Sequence, residues 1–210
     1  GVYSGELPLY EALALSKNTS AVWLLNKIGI QKGYASVKRF GISLSKSDNN
    51  LSLALGGMKE GVSPYEMAAA YTAFANQGVK YQPHLIRKIV DSSGKVIVDN
   101  SKVDSKRIIS KKIANEMTSM MIDVYKMGTG TSAKPYGFTI AGKTGSTESA
   151  QRIDGEDNDH WYIGYTPDIV VATWVGFDSS KYSLQNQGLR AGAGLFKTEM
   201  EGILPYTPQT

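Results

Sequence analysis

The chain has 210 residues, a net charge of +4 and no cysteine. This length suits one domain, or a large part of one, with a buried core. The absence of cysteine excludes disulfides, thiol catalysis and cysteine-bound zinc. Because lysines and arginines are scattered among acidic residues, the sequence gives little support to nucleic-acid binding.

The first 130 residues read as a mainly helical part, because apolar residues recur at helical spacing between polar or glycine breaks. Ser20 is predicted to cap a helix. The clearest helix start is Ser63-Pro64-Tyr65-Glu66, which combines a capping box with a proline in the first turn. The predicted helices cover residues 9–15, 21–28, 31–40, 64–76 and 110–127.

Extended segments come in two groups. Within the helical part, residues 85–90 and 96–98 flank the turn sequence Asp91-Ser92-Ser93-Gly94-Lys95 and predict a hairpin. Three further strands are predicted at residues 138–146, 161–165 and 169–176, followed by a closing helix at 193–203. Three strands that follow one another in series imply antiparallel pairing.

The resulting prediction for the fold class is α/β, more specifically α+β. The helical part covers residues 1–130, and the sheet strands with the closing helix cover residues 138–204. Residues 205–210 are predicted to form a tail.

Lys143-Thr144-Gly145-Ser146 follows the apolar run at residues 138–142. A Lys-Thr-Gly tripeptide alone is common, and the simpler interpretation is a strand end with a solvated lysine. Here Gly142 and Gly145 leave room on either side of the lysine for another backbone or a substrate. The pattern therefore favours a strand edge that combines a cation with hydroxyl groups.

Ser16-Lys17-Asn18 lies in a polar break between two apolar helices. Its simpler interpretation is a helix–helix connection in which Ser and Asn bond to nearby backbone. As a functional group, Ser16 can pass a proton, and the Asn18 amide can both donate to and accept from a peptide bond.

In this order, the two phrases resemble the Ser-x-Asn and Lys-Thr-Gly motifs of the penicillin-binding transpeptidases. The resemblance extends over nearly the whole chain and is similar in detail to streptococcal class A penicillin-binding proteins. The segments that carry it are residues 53–56, 62–68, 70–78, 142–147, 159–167 and 174–178.

The resemblance implies a role for each matching residue. Ser16 would relay protons and Asn18 would hold the amide of the donor peptide. Lys143 would tune Ser16 and help to place the substrate carboxylate. The substrate would dock along Thr144 and Gly145, Ser146 would bind its carboxylate, and the backbone N–H of Thr147 would form half of an oxyanion hole. The family usually has threonine where this chain has Ser146, which keeps the hydroxyl and loses a methyl group.

The family's nucleophilic Ser-x-x-Lys opens a buried helix upstream of the Ser-x-Asn phrase. Residues 43–46 and 92–95 match Ser-x-x-Lys literally, but one lies in a predicted polar loop and the other in the predicted hairpin turn. We therefore expect the nucleophile upstream of this chain, in the N-terminal part of the same domain. Taken alone, the chain is expected to be inactive.

The resemblance implies a peptidoglycan transpeptidase that acts on stem peptides, is trapped by β-lactams and needs no metal or organic cofactor. His84 and His160 lack a ligand-like companion set, which favours surface or packing roles over zinc binding. The parent protein would be membrane-anchored at the extracellular face of the bacterial cytoplasmic membrane, with this segment soluble. Two alternatives stay open: a serine β-lactamase or DD-carboxypeptidase, and a non-catalytic wall-binding module.

Overall fold

The computed structural model describes residues 5–148, 156–179, 181–184 and 188–208. Within these ranges the backbone forms six α-helices and seven strands. The helices are α1 Leu9–Ala14, α2 Asn18–Ile28, α3 Ile30–Arg39, α4 Pro64–Ala75, α5 Lys111–Lys126 and α6 Gly188–Ile203. The strands are β1 Val79–Tyr81, β2 Lys88–Val90, β3 Val96–Asp99, β4 Ser105–Arg107, β5 Ala141–Glu148, β6 Asp157–Tyr165 and β7 Val170–Gly176.

Local hydrogen bonds explain the helix starts that the sequence predicted correctly. At α4, the Ser63 hydroxyl accepts from the Glu66 backbone N–H, and the Glu66 carboxylate accepts from the Ser63 backbone N–H. At α5, the Ser110 hydroxyl accepts from the backbone N–H of Ile113. Each cap satisfies backbone donors that have no partner inside the helix, so both predicted starts are confirmed.

The main sheet has the order β5-β6-β7, and both strand pairs are antiparallel, as predicted. β5 is therefore an edge strand of this sheet. Its register with β6 places Lys143 opposite Ile163 and Ser146 opposite His160.

Helices cover both faces of the main sheet. Successive residues of a strand point to opposite faces, so Tyr162 and Tyr165 of β6 mark the two sides. The Tyr162 ring stacks on Phe196 of α6, and Tyr165 packs against Phe74 and Tyr71 of α4. Helix α5 packs beside β5 and contributes residues to the buried clusters on both faces of the sheet. Strand β5, at the edge of the main sheet, is therefore packed against the helical part.

Two smaller sheets lie within the helical part. The predicted hairpin is present as β2 and β3, and the Asp91 carboxylate accepts from the backbone N–H groups of Ser93 and Lys95 in its turn. The antiparallel pair of β1 and β4 was not predicted. These strands have three residues each, which is too short for an alternating pattern to be recognised.

Several predicted boundaries were wrong. Helix α2 begins at Asn18 with Lys17 at the N-cap, so Ser20 lies inside the helix. Helix α6 begins at residue 188 rather than 193, and β5 spans residues 141–148 rather than 138–146. In the described part of the chain, no helix has both the length and the apolar character needed to cross a membrane.

Candidate active site

The structure brings the two predicted motifs together. Lys143 of β5 donates a hydrogen bond from Nζ to Ser16 Oγ at 2.8 Å, although the two residues are 127 positions apart in the chain. Lys143 Nζ also donates to the backbone carbonyl of Thr144 at 2.9 Å. The cation and the hydroxyl are therefore close enough to exchange a proton or to bind the same ligand.

Ser16 has a backbone conformation that is uncommon for a residue with a side chain. Its φ is +53°, in the left-handed region, and its backbone N–H donates to the Leu13 carbonyl at 3.1 Å. This turn joins α1 to α2 and presents the Ser16 hydroxyl to Lys143. Asn18 follows as the first residue of α2 rather than lying in a loop. Backbone strain of this kind, about 1–3 kcal/mol, is often found at functional sites.

Lys143 is partly buried, and burial lowers its pKa from 10.5 to about 8. A lysine with such a pKa keeps its charge at neutral pH and releases its proton more readily than an exposed lysine. The Lys143 side chain can therefore serve either as an anion-binding cation or as a proton acceptor near neutral pH.

The glycines beside Lys143 serve different purposes. A Cβ at Gly142 would lie 1.9 Å from the carbonyl oxygen of Ile163, so this glycine permits the close approach of β6. Gly145 is exposed, and a Cβ there would make ordinary contact with Trp161 at 3.4 Å. The backbone that approaches Gly142 is thus the neighbouring strand, whereas Gly145 lies on the exposed half of β5.

The remaining predicted residues lie on the second half of β5. Ser146 and Thr147 are both exposed. The Thr147 hydroxyl donates to the Asp159 carboxylate of β6 at 2.6 Å. This bond ties the exposed half of β5 to β6 and leaves Ser146 facing the cleft described next.

A cleft of about 710 Å³ contains most of the predicted site. Its lining includes six of the seven predicted residues; the side chain of Thr147 is instead bonded to Asp159. Apolar residues of α1, α2 and the 3₁₀-helix Leu51–Leu55 also line the cleft. The predicted residues that line the cleft are Ser16, Asn18, Lys143, Thr144, Gly145 and Ser146.

Neither literal Ser-x-x-Lys sequence lines this cleft. Ser43 precedes the 3₁₀-helix Lys46–Asp48 and borders a separate depression. Ser92 is exposed in the turn between β2 and β3. Both lie in the kind of structure that the sequence predicted, and neither opens a buried helix.

Sequence reasoning did not assign Thr129 and His160 to the site. Thr129 lies between two glycines after α5, a pattern that indicated only a helix end, yet its hydroxyl is 2.5 Å from that of Thr144. His160 lines the cleft, is 3% exposed and has Nε2 3.4 Å from an Asp157 carboxylate oxygen. Burial lowers the pKa of His160, against the opposing effect of Asp157 and Asp159. His160, the cross-strand neighbour of Ser146, is thus a buried residue of the cleft lining.

Metal binding finds no support in the described residues, where no group of three or more His, Asp or Glu side chains is placed to hold an ion. The hydroxyl, ammonium and amide groups of the cleft suit a peptide or another anionic ligand.

Comparison with solved structures defines the class of protein. The penicillin-binding protein PonA1 from Mycobacterium tuberculosis superposes with a TM-score of 0.85 and 28% identity, covering all of this chain and 59% of that one. Its complex with penicillin V gives a TM-score of 0.84 at 28% identity, covering 100% of this chain and 60% of that one. The fold is therefore that of a penicillin-binding protein, and the predicted α/β class is confirmed.

Comparison of sequences identifies the family. The penicillin-binding protein transpeptidase domain family matches residues 1–201, so the chain belongs to this family. Penicillin-binding protein 2a of Streptococcus pneumoniae is 40% identical over 207 residues, which are 98% of this chain and 28% of that protein. Penicillin-binding protein 1F of Bacillus subtilis is 40% identical over 208 residues, 99% of this chain and 28% of that protein. The predicted resemblance is confirmed, and the chain spans under a third of these relatives.

Proposed function

We propose that this chain is the C-terminal part of a serine D-Ala-D-Ala transpeptidase domain that crosslinks peptidoglycan stem peptides. The observation that carries the proposal is the 2.8 Å contact between Lys143 Nζ and Ser16 Oγ in the cleft. Membership of the transpeptidase family supports it, as does the PonA1 structure in complex with penicillin V.

In this proposal, Ser16 relays protons between the nucleophile and the leaving group. Lys143 holds the Ser16 hydroxyl in place and attracts the carboxylate at the end of the donor peptide. Asn18, on the first turn of α2, binds the amide of that peptide. Each of these side chains lines the cleft, so each can touch a ligand that occupies it.

Strand β5 is the proposed docking strand. It is an edge of the main sheet, and an extended peptide can pair with an exposed edge through main-chain hydrogen bonds. The peptide would run along Thr144 and Gly145, with its carboxylate at Ser146. The backbone N–H of Thr147 would donate to the oxyanion that forms during acyl transfer.

The nucleophile is proposed to be a serine upstream in the parent protein, because neither Ser43 nor Ser92 lies in the cleft. Its oxygen attacks the carbonyl carbon of the penultimate D-alanine, and the bond to the terminal D-alanine breaks. The serine proton passes through Ser16 to the leaving amine. The amine of a second stem peptide then attacks the ester carbonyl carbon, the ester C–O bond breaks, and a proton from the amine returns to the serine oxygen.

The proposed partners are the N-terminal part of the same domain, peptidoglycan stem peptides and β-lactams. The proposed location is the extracellular face of the bacterial cytoplasmic membrane, with membrane anchoring supplied by the parent protein. The chemistry of the proposed site requires no cofactor.

The test is intact-mass spectrometry with benzylpenicillin on the parent protein, followed by peptide mapping. We expect one long-lived adduct on a serine upstream of this chain. Ser92→Ala should leave the labelling unchanged, whereas Lys143→Ala should abolish it without unfolding the protein.

The other outcomes distinguish the competing interpretations. An adduct on Ser43 or Ser92 would refute the proposed position of the nucleophile. An adduct that forms and is rapidly hydrolysed would indicate a β-lactamase. Complete absence of labelling in the parent protein would favour a non-catalytic binding module and would refute the proposed activity.

A further inference from the structure

The loop Gly128–Gly130, which follows α5, contacts both halves of the proposed site. The Thr129 hydroxyl lies 2.5 Å from the Thr144 hydroxyl of β5. The Thr129 backbone N–H donates to the Ala14 carbonyl at 3.1 Å, two residues before Ser16. We infer that Thr129 is a positioning residue that holds Lys143 and Ser16 at hydrogen-bond distance. This inference rests on the proposed function.

The contact with α1 is tight. A Cβ on Gly128 would lie 2.1 Å from the Ala14 carbonyl oxygen and 3.0 Å from Cα of Val124. No side chain fits between the loop and the end of α1, so their backbones are in direct contact. This contact fixes the end of α1 and therefore the start of the turn that carries Ser16.

The loop is itself anchored to the core. The Gly130 backbone N–H donates to the Val124 carbonyl at 3.0 Å, and a Cβ on Gly130 would lie 2.8 Å from the Tyr125 ring. Tyr125 is 1% exposed, and its hydroxyl donates to the Ile163 carbonyl of β6 at 2.8 Å. The position of Thr129 is therefore set by α5 and the sheet behind it.

Two features make this connection relevant to the site. Ser16 holds a left-handed backbone conformation, which persists only when surrounding structure enforces it. Thr144 is also the neighbour of Lys143 in the chain, and its carbonyl accepts from Lys143 Nζ. The Thr129–Thr144 bond thus connects the loop that holds the end of α1, next to Ser16, to the strand that carries Lys143.

The test compares three variants of the parent protein. Thr129→Val keeps the shape of the side chain and removes the hydroxyl, and Thr129→Ser keeps the hydroxyl. Thr118→Val is the matched control, because Thr118 makes a similar hydroxyl contact, 2.7 Å to Tyr165, within the core. We expect Thr129→Val to slow acylation by benzylpenicillin about 10- to 100-fold, as misplacement by about 1 Å does. Thr129→Ser and Thr118→Val should both stay close to wild type.

A second readout does not depend on acylation. NMR titration of the Lys143 side chain should give a midpoint, which is the pKa of Lys143, above about 8 in Thr129→Val, because a displaced lysine is better solvated. The midpoint should stay unchanged in Thr129→Ser and Thr118→Val. A raised midpoint in Thr129→Val alone would indicate a positioning role rather than a general loss of stability.

The inference is overturned if Thr129→Val leaves both the acylation rate and the Lys143 midpoint at wild-type values. It is also overturned if Thr129→Ser is as impaired as Thr129→Val, or if Thr118→Val is impaired equally. A wild-type protein that is not acylated would refute the proposed function instead, and the Lys143 titration would then decide the positioning role.

Discussion

Lys143 illustrates a conflict between stability and function that can be measured. Burial lowers its pKa from 10.5 to about 8, which means that the folded chain solvates the charged ammonium less well than water does. We predict that Lys143→Met stabilises the chain at pH 7, because methionine keeps an extended side chain and removes the buried charge. The same substitution should abolish acylation in the parent protein.

The size and sign of the effect follow from the two pKa values. Between pH 8 and 10.5 the unfolded chain binds more protons at Lys143 than the folded chain, so this residue makes stability rise with pH over that window. Below pH 8 the lysine is charged in both states and its destabilising contribution is complete. The difference between the pKa values corresponds to at most about 3 kcal/mol. Lys143→Met should recover up to this amount at pH 7 and progressively less toward pH 10.5.

The assay is urea unfolding of wild type and Lys143→Met at several pH values from 7 to 10.5. Lys102→Met is the matched control, because Lys102 is an exposed lysine in a connection outside the cleft. It should shift stability by less than about 0.5 kcal/mol. A Lys143→Met variant that is less stable than wild type at pH 7, or whose advantage does not change with pH, would refute the reasoning.

Three further predictions concern the pH dependence of acylation, the cap of α4 and the Tyr125 hydroxyl. Acylation of the parent protein by benzylpenicillin should slow above about pH 8, because Lys143 loses the charge that attracts the carboxylate of the drug. The methyl ester of benzylpenicillin lacks that charge and should not show this decline. Identical pH–rate profiles for the two compounds would contradict the carboxylate-binding role of Lys143. Ser63→Ala should lower the free energy of unfolding, measured in urea, by about 1 kcal/mol because it removes the α4 cap. An unchanged unfolding midpoint would show that the cap does not contribute to stability. Tyr125→Phe should lower the free energy of unfolding by about 1–3 kcal/mol, because the buried Ile163 carbonyl loses the Tyr125 hydroxyl as a hydrogen-bond donor. An unaltered free energy of unfolding would exclude that contribution.

Features that depend on near neighbours in the chain were predictable from sequence. The capping box of Ser63 and Glu66 joins residues three positions apart, and the hairpin turn at residues 91–95 is held by the side chain of Asp91. The antiparallel order of the main sheet followed from the succession of its strands along the chain. In the cap and the turn, the stabilising interactions lie within a few residues, so the local pattern contains enough information.

Features that depend on packing between distant segments were not predictable in this way. The polar residues 16–18 indicated a break before a helix that was predicted to start at residue 21, but α2 begins at Asn18. The connection before it contains only Leu15, Ser16 and Lys17, and the last residue of α1, Ala14, accepts a hydrogen bond from the distant Thr129 backbone N–H. The β1–β4 pair likewise joins segments that are far apart in the chain and whose sequences carry no strand signal.

The candidate site also combines features that are local in the chain with features that depend on packing between distant segments. The chemical groups could be read from the sequence, because Ser16, Asn18 and Lys143 belong to motifs whose residue types are recognisable without a structure. The 2.8 Å distance between Lys143 Nζ and Ser16 Oγ, and the contacts of Thr129 with α1 and β5, could not. This distance is set by the packing of α1, α5 and β5 against one another, and no local propensity along the chain encodes how those elements meet.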